Sequence, residues 1–563
     1  MRVVPAVIRR AVAGNKLFAI ALGLAVLLRI DAELGYRWQS WFNDSWKYVD
    51  TAITLNLDPT RPSGYGLYLW LLKPFHSFAL VTVSQHLMGL LVAVMIYALA
   101  RHRFGAPAWV AVLAALPVLY DGFEIQLEHL IMADTLFLFL AMLAITVLLW
   151  SPLRGGGSPW WRSPWLRCAV AGALLGLSAI VRSTGLPLIP LFAVYLLVWF
   201  AGSRVGWRTL TAGIAAFATT ALLPVVGYAG WFDIQHGTFN TSTSTGVFLY
   251  SRVMTFADCS RMRLTPELLA LCTTVPPDQR PSAQAYIWTA ASPLNRFPAP
   301  LFSPLPNSLG KQFAIKAIEA QPLDYARAVF DDTWRSFGWT RTVFPNAATY
   351  NQYLFGYHSV TISGGHRVPG YPSSAAAYLQ GGDPRTAVVN PFAVAIRLYQ
   401  RYVWLPGTVY GLILLAGLAG MMFAWRRGGG EAMLPWASSV ALIVIPAATA
   451  EFDYRYVLTA TPFGCLAAAL AFGRDTAGRR WLARRRRSAA ATSAATPSAP
   501  SAPEPVGPIP AGPPAKSDVS DVPGIGLVPD GPAREARRLP GGGLDGGSAD
   551  TGHDQRDFAP DTS

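Results

Sequence analysis

The chain has 563 residues, of which 52% are hydrophobic and only 14% charged, against about 25% charged in ordinary soluble domains. With its positive mean hydropathy, that balance excludes a soluble globular protein and predicts a mainly α, polytopic membrane helical bundle. The net charge of +14 does not point to nucleic acid, because the basic residues sit in short clusters between apolar runs, as they do in cytoplasmic loops.

The opening "MRVVPAVIRRAVAGNK" looks like the front of a signal peptide, but no small-residue cleavage site follows. It therefore reads as an uncleaved anchor. Ten apolar runs follow, at 16–30, 76–99, 106–120, 130–150, 168–182, 184–201, 209–231, 404–424, 432–449 and 456–472. With the N-terminus in the cytoplasm, the even-numbered loops carry Arg101 and Arg103, then Arg154, Arg162 and Arg167, then Arg204 and Arg208, then Arg426 and Arg427. The basic stretch "GRDTAGRRWLARRRR" falls on the same side. Ten spans thus place both termini in the cytoplasm of a multi-pass protein of the cell membrane.

Four regions are expected: an N-terminal membrane bundle over 1–231, an extracytoplasmic domain over 232–403, C-terminal membrane helices over 404–472, and a tail over 473–563. The tail is basic at first and then rich in Ala, Ser, Pro and Gly, a composition too poor in apolar residues to offset its chain entropy. In the long outer region, 311–338 has helical periodicity. Cys259 and Cys272 lie there, and an extracytoplasmic setting makes them a disulfide candidate. Cys168 and Cys465 fall inside apolar runs and read as packing residues.

The outer loops carry the chemistry. "SWFNDSWKYVD" (40–50) sets Asp44 among Trp41, Phe42 and Trp46, with Tyr48 close by. The aromatic rings alone would suit an interfacial belt; the carboxylate among them suits an active-site acid. In "LYDGFEIQLEHLIMADTLF", Asp121, Glu124 and Glu128 share one face of a helix, and His129 and Asp134 follow as the chain re-enters the membrane. An acid near the bilayer centre costs about 2.5–3.5 kcal/mol on insertion scales, so an acid near the membrane asks for a function. Before the last run, "EFDYRYVLTATP" (451–462) sets Arg455 among acids and aromatics, and Arg182 lies between the fifth and sixth runs. Outer arginines run against the topology rule. Snorkelling accounts for one at an interface, and a phosphate held by paired hydrogen bonds is the other reading.

Several segments resemble one family. "FNDSWKY" resembles the first-loop acidic motif of the C-type glycosyltransferases. "RPSGYGLYLWLLKPF" resembles their Pro-Gly-Tyr entry to the second span. "GALLGLSAIVRSTGLPLIP" resembles a Gly-Leu-rich span ending in Arg, and "FDYRYVLTATP" an Arg-Tyr-Leu-Pro segment before the last span. These are membrane enzymes that use polyprenyl-phosphate sugars, and they include protein O-mannosyltransferases and actinobacterial arabinofuranosyltransferases. The resemblance covers about 1–235 and 400–475. It implies transfer of a sugar from a polyprenyl-phosphate donor to a hydroxyl of a glycan or protein acceptor, at the outer face of the lipid bilayer. Asp44 would be the first-loop acid, and Glu128 and Asp134 are both candidates for the second. Arg455 and Arg182 would contact the phosphate, and Glu124, His129 and Tyr48 are further substrate-binding candidates. Many relatives carry two adjacent acids where Asp44 is flanked by Asn43 and Ser45, which weakens the case for a divalent metal; with a monophosphate donor a metal is optional.

Two other readings stay open. A transporter or lipid flippase would cluster its charges near the midplane, and a non-catalytic scaffold would have no need of Asp44. His129, with His86 and His76, has no zinc-binding sequence spacing, and the chain shows no nucleotide-binding Gly loop or serine-nucleophile elbow.

Overall fold

The computed structural model describes residues 15–150, 163–201, 206–290, 292–360, 373–424 and 429–473. Arg154, Arg162, Arg204, Arg426, Arg427 and the tail beyond 473 lie outside the described residues. All ten apolar runs fold as helix. They are α1 (Lys16–Gly35), α4 (Phe78–Ala98), α5 (Ala108–Tyr120), α7 (Ala133–Leu149), α8 (Pro164–Val181), α9 (Leu188–Ala201), α10 (Trp207–His236), α19 (Gly407–Ala424), α20 (Met433–Thr449) and α21 (Tyr454–Leu470). Among the described residues, four helices are long and apolar enough to cross a membrane, or six when two bent pairs are counted as one span each. The chain is a mainly helical, multi-pass membrane protein. The remaining apolar helices are shorter or carry charge, as α1 does with Arg29, Asp31 and Glu33.

The loops between these helices build the rest. Helices α2 (Ser45–Thr54) and α3 (Gly64–Leu72) lie between α1 and α4, and α6 (Gly122–His129) between α5 and α7. Helix α6 follows α5 after a bend of 52°. Asp121 makes that corner. Its side chain caps α6 by accepting the Phe123 N–H at 2.8 Å, and it also accepts the Leu405 N–H at 2.9 Å. The face of Asp121, Glu124 and Glu128 is therefore helical as expected, but it is buried in protein rather than turned to solvent.

Between α10 and α19 the chain forms α11 (Thr245–Val253), short helices α12 (Pro266–Leu269) and α13 (Ala285–Trp288), α14 (Pro304–Ala320), α15 (Pro322–Arg335), α16 (Ala347–Asn351), α17 (Ser374–Tyr378) and α18 (Phe392–Tyr402). The helix expected over 311–338 is two helices. Pro322 has no N–H to continue α14 and starts α15 instead. Residues 247–317 hold a small core of their own around Tyr250, Leu271 and Phe313. Cys259 and Cys272 are bonded there, their Cα atoms 6.2 Å apart. Residues 342–360 and 373–402 instead pack back on the bundle, where Tyr378 joins the main core and α18 lies on α1. A two-stranded antiparallel ribbon, β1 (Tyr36–Arg37) with β2 (Ala387–Val388), secures that return.

The α8–α10 pair shows why small residues recur in these runs. A Cβ added at Gly172 would meet the Phe217 carbonyl oxygen at 2.3 Å, and one at Gly176 the Ala221 oxygen at the same distance. Two glycines one helical turn apart let the backbones touch, which is where helix association in lipid draws its dispersion energy. Gly227 and Gly230 on α10 face open space. Gly176→Val should therefore lower the melting temperature in detergent by the equivalent of about 1–3 kcal/mol of overpacking, while Gly230→Ala leaves it unchanged or slightly higher.

Candidate functional site

The loop after α1 passes from β1 to α2 and carries Asp44 at the α2 N-terminus. Its course is set by pairing. The Ser40 N–H donates to the His129 carbonyl at 3.1 Å, and the Ile131 N–H donates to the Ser40 carbonyl at 3.0 Å. The Ser45 hydroxyl donates to the Ile131 carbonyl at 2.9 Å and accepts the Phe42 N–H. The loop is thus sewn to the α6–α7 connection, and Asp44 comes to face the start of α21.

There Asp44 meets two guanidiniums. Arg61 pairs with its Oδ2, and Arg455 donates to the same oxygen at 3.0 Å. Arg455 also bridges to Asp453 at 3.0 Å, and Asp453 accepts a hydrogen bond from Tyr353. Burial by itself would raise the Asp44 carboxyl. The charges of Arg61 and Arg455 outweigh burial and hold it well below the usual carboxylate range. A second pair, Asp134 with Arg182, lies beside the first. The Arg182 guanidinium sits 5.0 Å from the Tyr456 ring centroid, and Arg455 lies 5.3 Å from Phe42 and 5.6 Å from Tyr456. Lys47 completes the group, 3.1 Å from Asp58.

These residues line two cavities. One, of about 920 Å³, is walled by Phe42, Trp46, Lys47, Trp288, Glu451 and Asp453 among others. The other, of about 310 Å³, is walled by Tyr48, Asp134, Arg182, Ser183 and Thr184 among others. Asp44, Arg61, Arg455 and Tyr456 line both. Asp44, Asp134, Arg182, Arg455 and Tyr48 are therefore brought together. Glu124, Glu128 and His129 are not: they line neither cavity. Glu128 is fully buried and accepts two hydrogen bonds from Arg29, at 2.7 and 2.8 Å, plus one from His86 at 2.8 Å. Gly89 makes room for it, since a Cβ there would collide with the carboxylate.

Arg61 and Lys47 were not among the expected site residues. The signal that picks out Arg182 and Arg455, a cation in a loop expected on the outer side, applies to both. The residues around Asp44 do not suit a divalent metal, because two guanidiniums already share one oxygen of that carboxylate and Asp134 is taken by Arg182. A different group offers metal-ligand chemistry: one atom each from Glu33, His86 and His129.

No family model and no curated protein matches the chain. Among solved structures, the oligosaccharyltransferase of Archaeoglobus fulgidus in its apo form aligns at 13% identity and a TM-score of 0.40, over 85% of this chain and 52% of that one. The same protein with an inhibitory peptide and a dolichol-phosphate aligns at 14% and 0.39, over 86% and 52%. ArnT from Cupriavidus metallidurans bound to undecaprenyl phosphate aligns at 15% and 0.33, over 82% and 77%. The chain spans about half the length of the archaeal protein.

Glu451, in the wall of the larger cavity, behaves oppositely to Asp44. Burial and the nearby Asp332 push its carboxyl up to about 8, against the N–H groups of Ala283 and Gln284 and the charge of Arg252. The folded state thus binds a proton there that the unfolded chain releases above about pH 4.3. Its contribution to stability is complete below that pH and is lost as pH rises through about 8. Melting temperature should fall as pH rises from about 4.3 to about 8 and level off above that, and Glu451→Gln should flatten that fall. Glu128→Ala would leave Arg29 charged, buried and unpaired, at a cost of about 3–5 kcal/mol. It should lower the melting temperature far more than Asp44→Asn does.

Proposed function

We propose that the chain is a membrane glycosyltransferase that moves a sugar from a polyprenyl-phosphate donor to an acceptor hydroxyl on the non-cytosolic side. The observation that carries this reading is one acid, Asp44, placed where two cavities meet and flanked by Arg61 and Arg455, with Arg182 opening on the smaller cavity. Three guanidiniums around about 310 Å³ suit a phosphate, which they grip with paired hydrogen bonds. The larger, aromatic-walled cavity suits the sugar and its acceptor. The site is built from loops and helix ends, where a lipid headgroup meets the protein, rather than from the middle of the spans. That placement favours a transferase over a transporter.

The chemistry follows from the charges. While both arginines hold Asp44, its carboxylate is too weak a base to take a proton from a hydroxyl. A phosphate entering between Arg61, Arg182 and Arg455 takes over their hydrogen bonds. Asp44 then loses its cations, and burial drives its carboxyl upward toward a useful basicity. The bond from the sugar C1 to the phosphate oxygen breaks as the acceptor oxygen bonds to C1, through an oxocarbenium-like state. Asp44 receives the acceptor's proton. The arginines stabilise the polyprenyl phosphate as it leaves. Asp134 keeps Arg182 in place, and Asp453 with Tyr353 keeps Arg455 in place. Both termini lie in the cytoplasm in this reading.

The test is transfer by the purified protein in lipid, with a panel of radiolabelled polyprenyl-phosphate sugars and extracted acceptors. Asp44→Asn should cut transfer by about 10²–10⁴-fold, with a fall in melting temperature smaller than that of Glu128→Ala, because Arg455 keeps Asp453 as a partner. Arg455→Gln or Arg61→Gln should raise the donor KM. Transfer that survives Asp44→Asn removes that acid from the mechanism, and failure with every donor removes the assignment.

A further inference from the structure

Beneath the loop after α1 lies a second polar cluster that the transfer chemistry does not use. Glu33 comes from the last turn of α1, His86 from α4 and His129 from the end of α6. Both histidines are buried, and none of the three lines either cavity. Their inward atoms converge: His86 Nε2 lies 3.2 Å from His129 Nδ1, and Glu33 Oε1 lies 3.7 Å from each.

The outward nitrogens decide where the protons are. His129 Nε2 lies 2.8 Å from the Tyr36 carbonyl, which can only accept, so Nε2 carries the hydrogen. His86 Nδ1 lies 2.8 Å from Glu128 Oε2, an oxygen that also accepts a hydrogen bond from the Arg29 guanidinium, so Nδ1 is the donor there. In the neutral rings, His86 Nε2 and His129 Nδ1 are then both lone pairs, pointed toward one another. Glu33 Oε1, buried and without a hydrogen-bond partner, adds a third acceptor. With the Glu33 carboxyl ionised, all three atoms are acceptors, an arrangement that a cation resolves.

We propose that Glu33, His86 and His129 bind a divalent cation of the zinc class, with water in the fourth position. The ligand set is two imidazoles and one carboxylate. Tetrahedral bonds of about 2.0–2.1 Å put ligand atoms roughly 3.3–3.5 Å apart, close to the 3.2 and 3.7 Å found. Each histidine is oriented from behind, one by a carboxylate and one by a carbonyl, as zinc-bound imidazoles are. The site ties α1, α4 and α6 together directly under the Ser40–Leu130 bridge, and so steadies the loop that presents Asp44. It stands whether or not the transferase reading holds.

The test is metal content of the full chain, purified in detergent with a non-chelating tag, incubated with zinc and then desalted. One zinc per chain is expected for wild type and for Asp44→Asn. His86→Ala and His129→Ala should lose it, and Glu33→Gln should bind more weakly. Because the alanine variants could misfold, wild type is also loaded with cobalt(II), which should show the visible bands of a tetrahedral nitrogen–oxygen site. A chelator should lower its melting temperature, and zinc should restore it. A wild type that holds no zinc and gives no cobalt bands would mean that a proton joins the two rings, and would overturn the proposal. So would zinc retained after both histidines are replaced, or lost on Asp44→Asn.

Discussion

Asp44 between Arg61 and Arg455 is the contact on which the architecture around the cavities turns. It joins residues 411 positions apart in sequence, from the first loop to the last helix. Two buried guanidiniums would be costly alone. One carboxylate shared between them repays part of that cost, and Asp453 supplies the rest for Arg455. The pairing also leaves a polar seam where two cavities join, because charged side chains held by one another cannot collapse into the apolar walls. The cavity and the ion pairs are one construction.

A second buried layer lies under the first. Arg29, Glu128, His86, His129 and Glu33 connect three helices beneath the loop that carries Asp44. The two layers meet at the Ser40–Leu130 bridge and through Gln85, whose amide donates to the carbonyls of Glu128 and Leu130 at 2.7 and 2.8 Å. The acids of this protein therefore divide by environment. Asp44, Asp134 and Asp453, which face the cavities, are paired to arginines, and Glu451 in the larger cavity's wall accepts from backbone N–H groups instead. Glu128 is enclosed in protein, where an ion pair holds helices in register and no substrate reaches it.

The helical segments were legible in the sequence. Lipid leaves the backbone no partner but itself, so each long apolar run has to be helix, and all ten are. Asp44, Asp134, Arg182 and Arg455 could also be singled out, because charge beside apolar runs is expensive and stands out against composition. The pattern could not show the break at Pro322 as clearly, since the apolar spacing runs through it. Nor could it show that Glu128 and Asp134, six residues apart, face different partners. The turn between α6 and α7 rotates one toward Arg29 and the other toward Arg182.

Composition and periodicity by themselves determined a polytopic helical bundle with charged loops at one end, because hydropathy is a local property and each helix satisfies its own backbone. Tertiary structure alone decided which charges meet. Arg61 and Lys47 joined the cavity, and Glu124, Glu128 and His129 left it, through contacts between residues far apart in the chain. The Glu33, His86 and His129 cluster escaped any spacing rule for the same reason. Its ligands come one from each of three helices, and only packing brings them within 3.7 Å of one another.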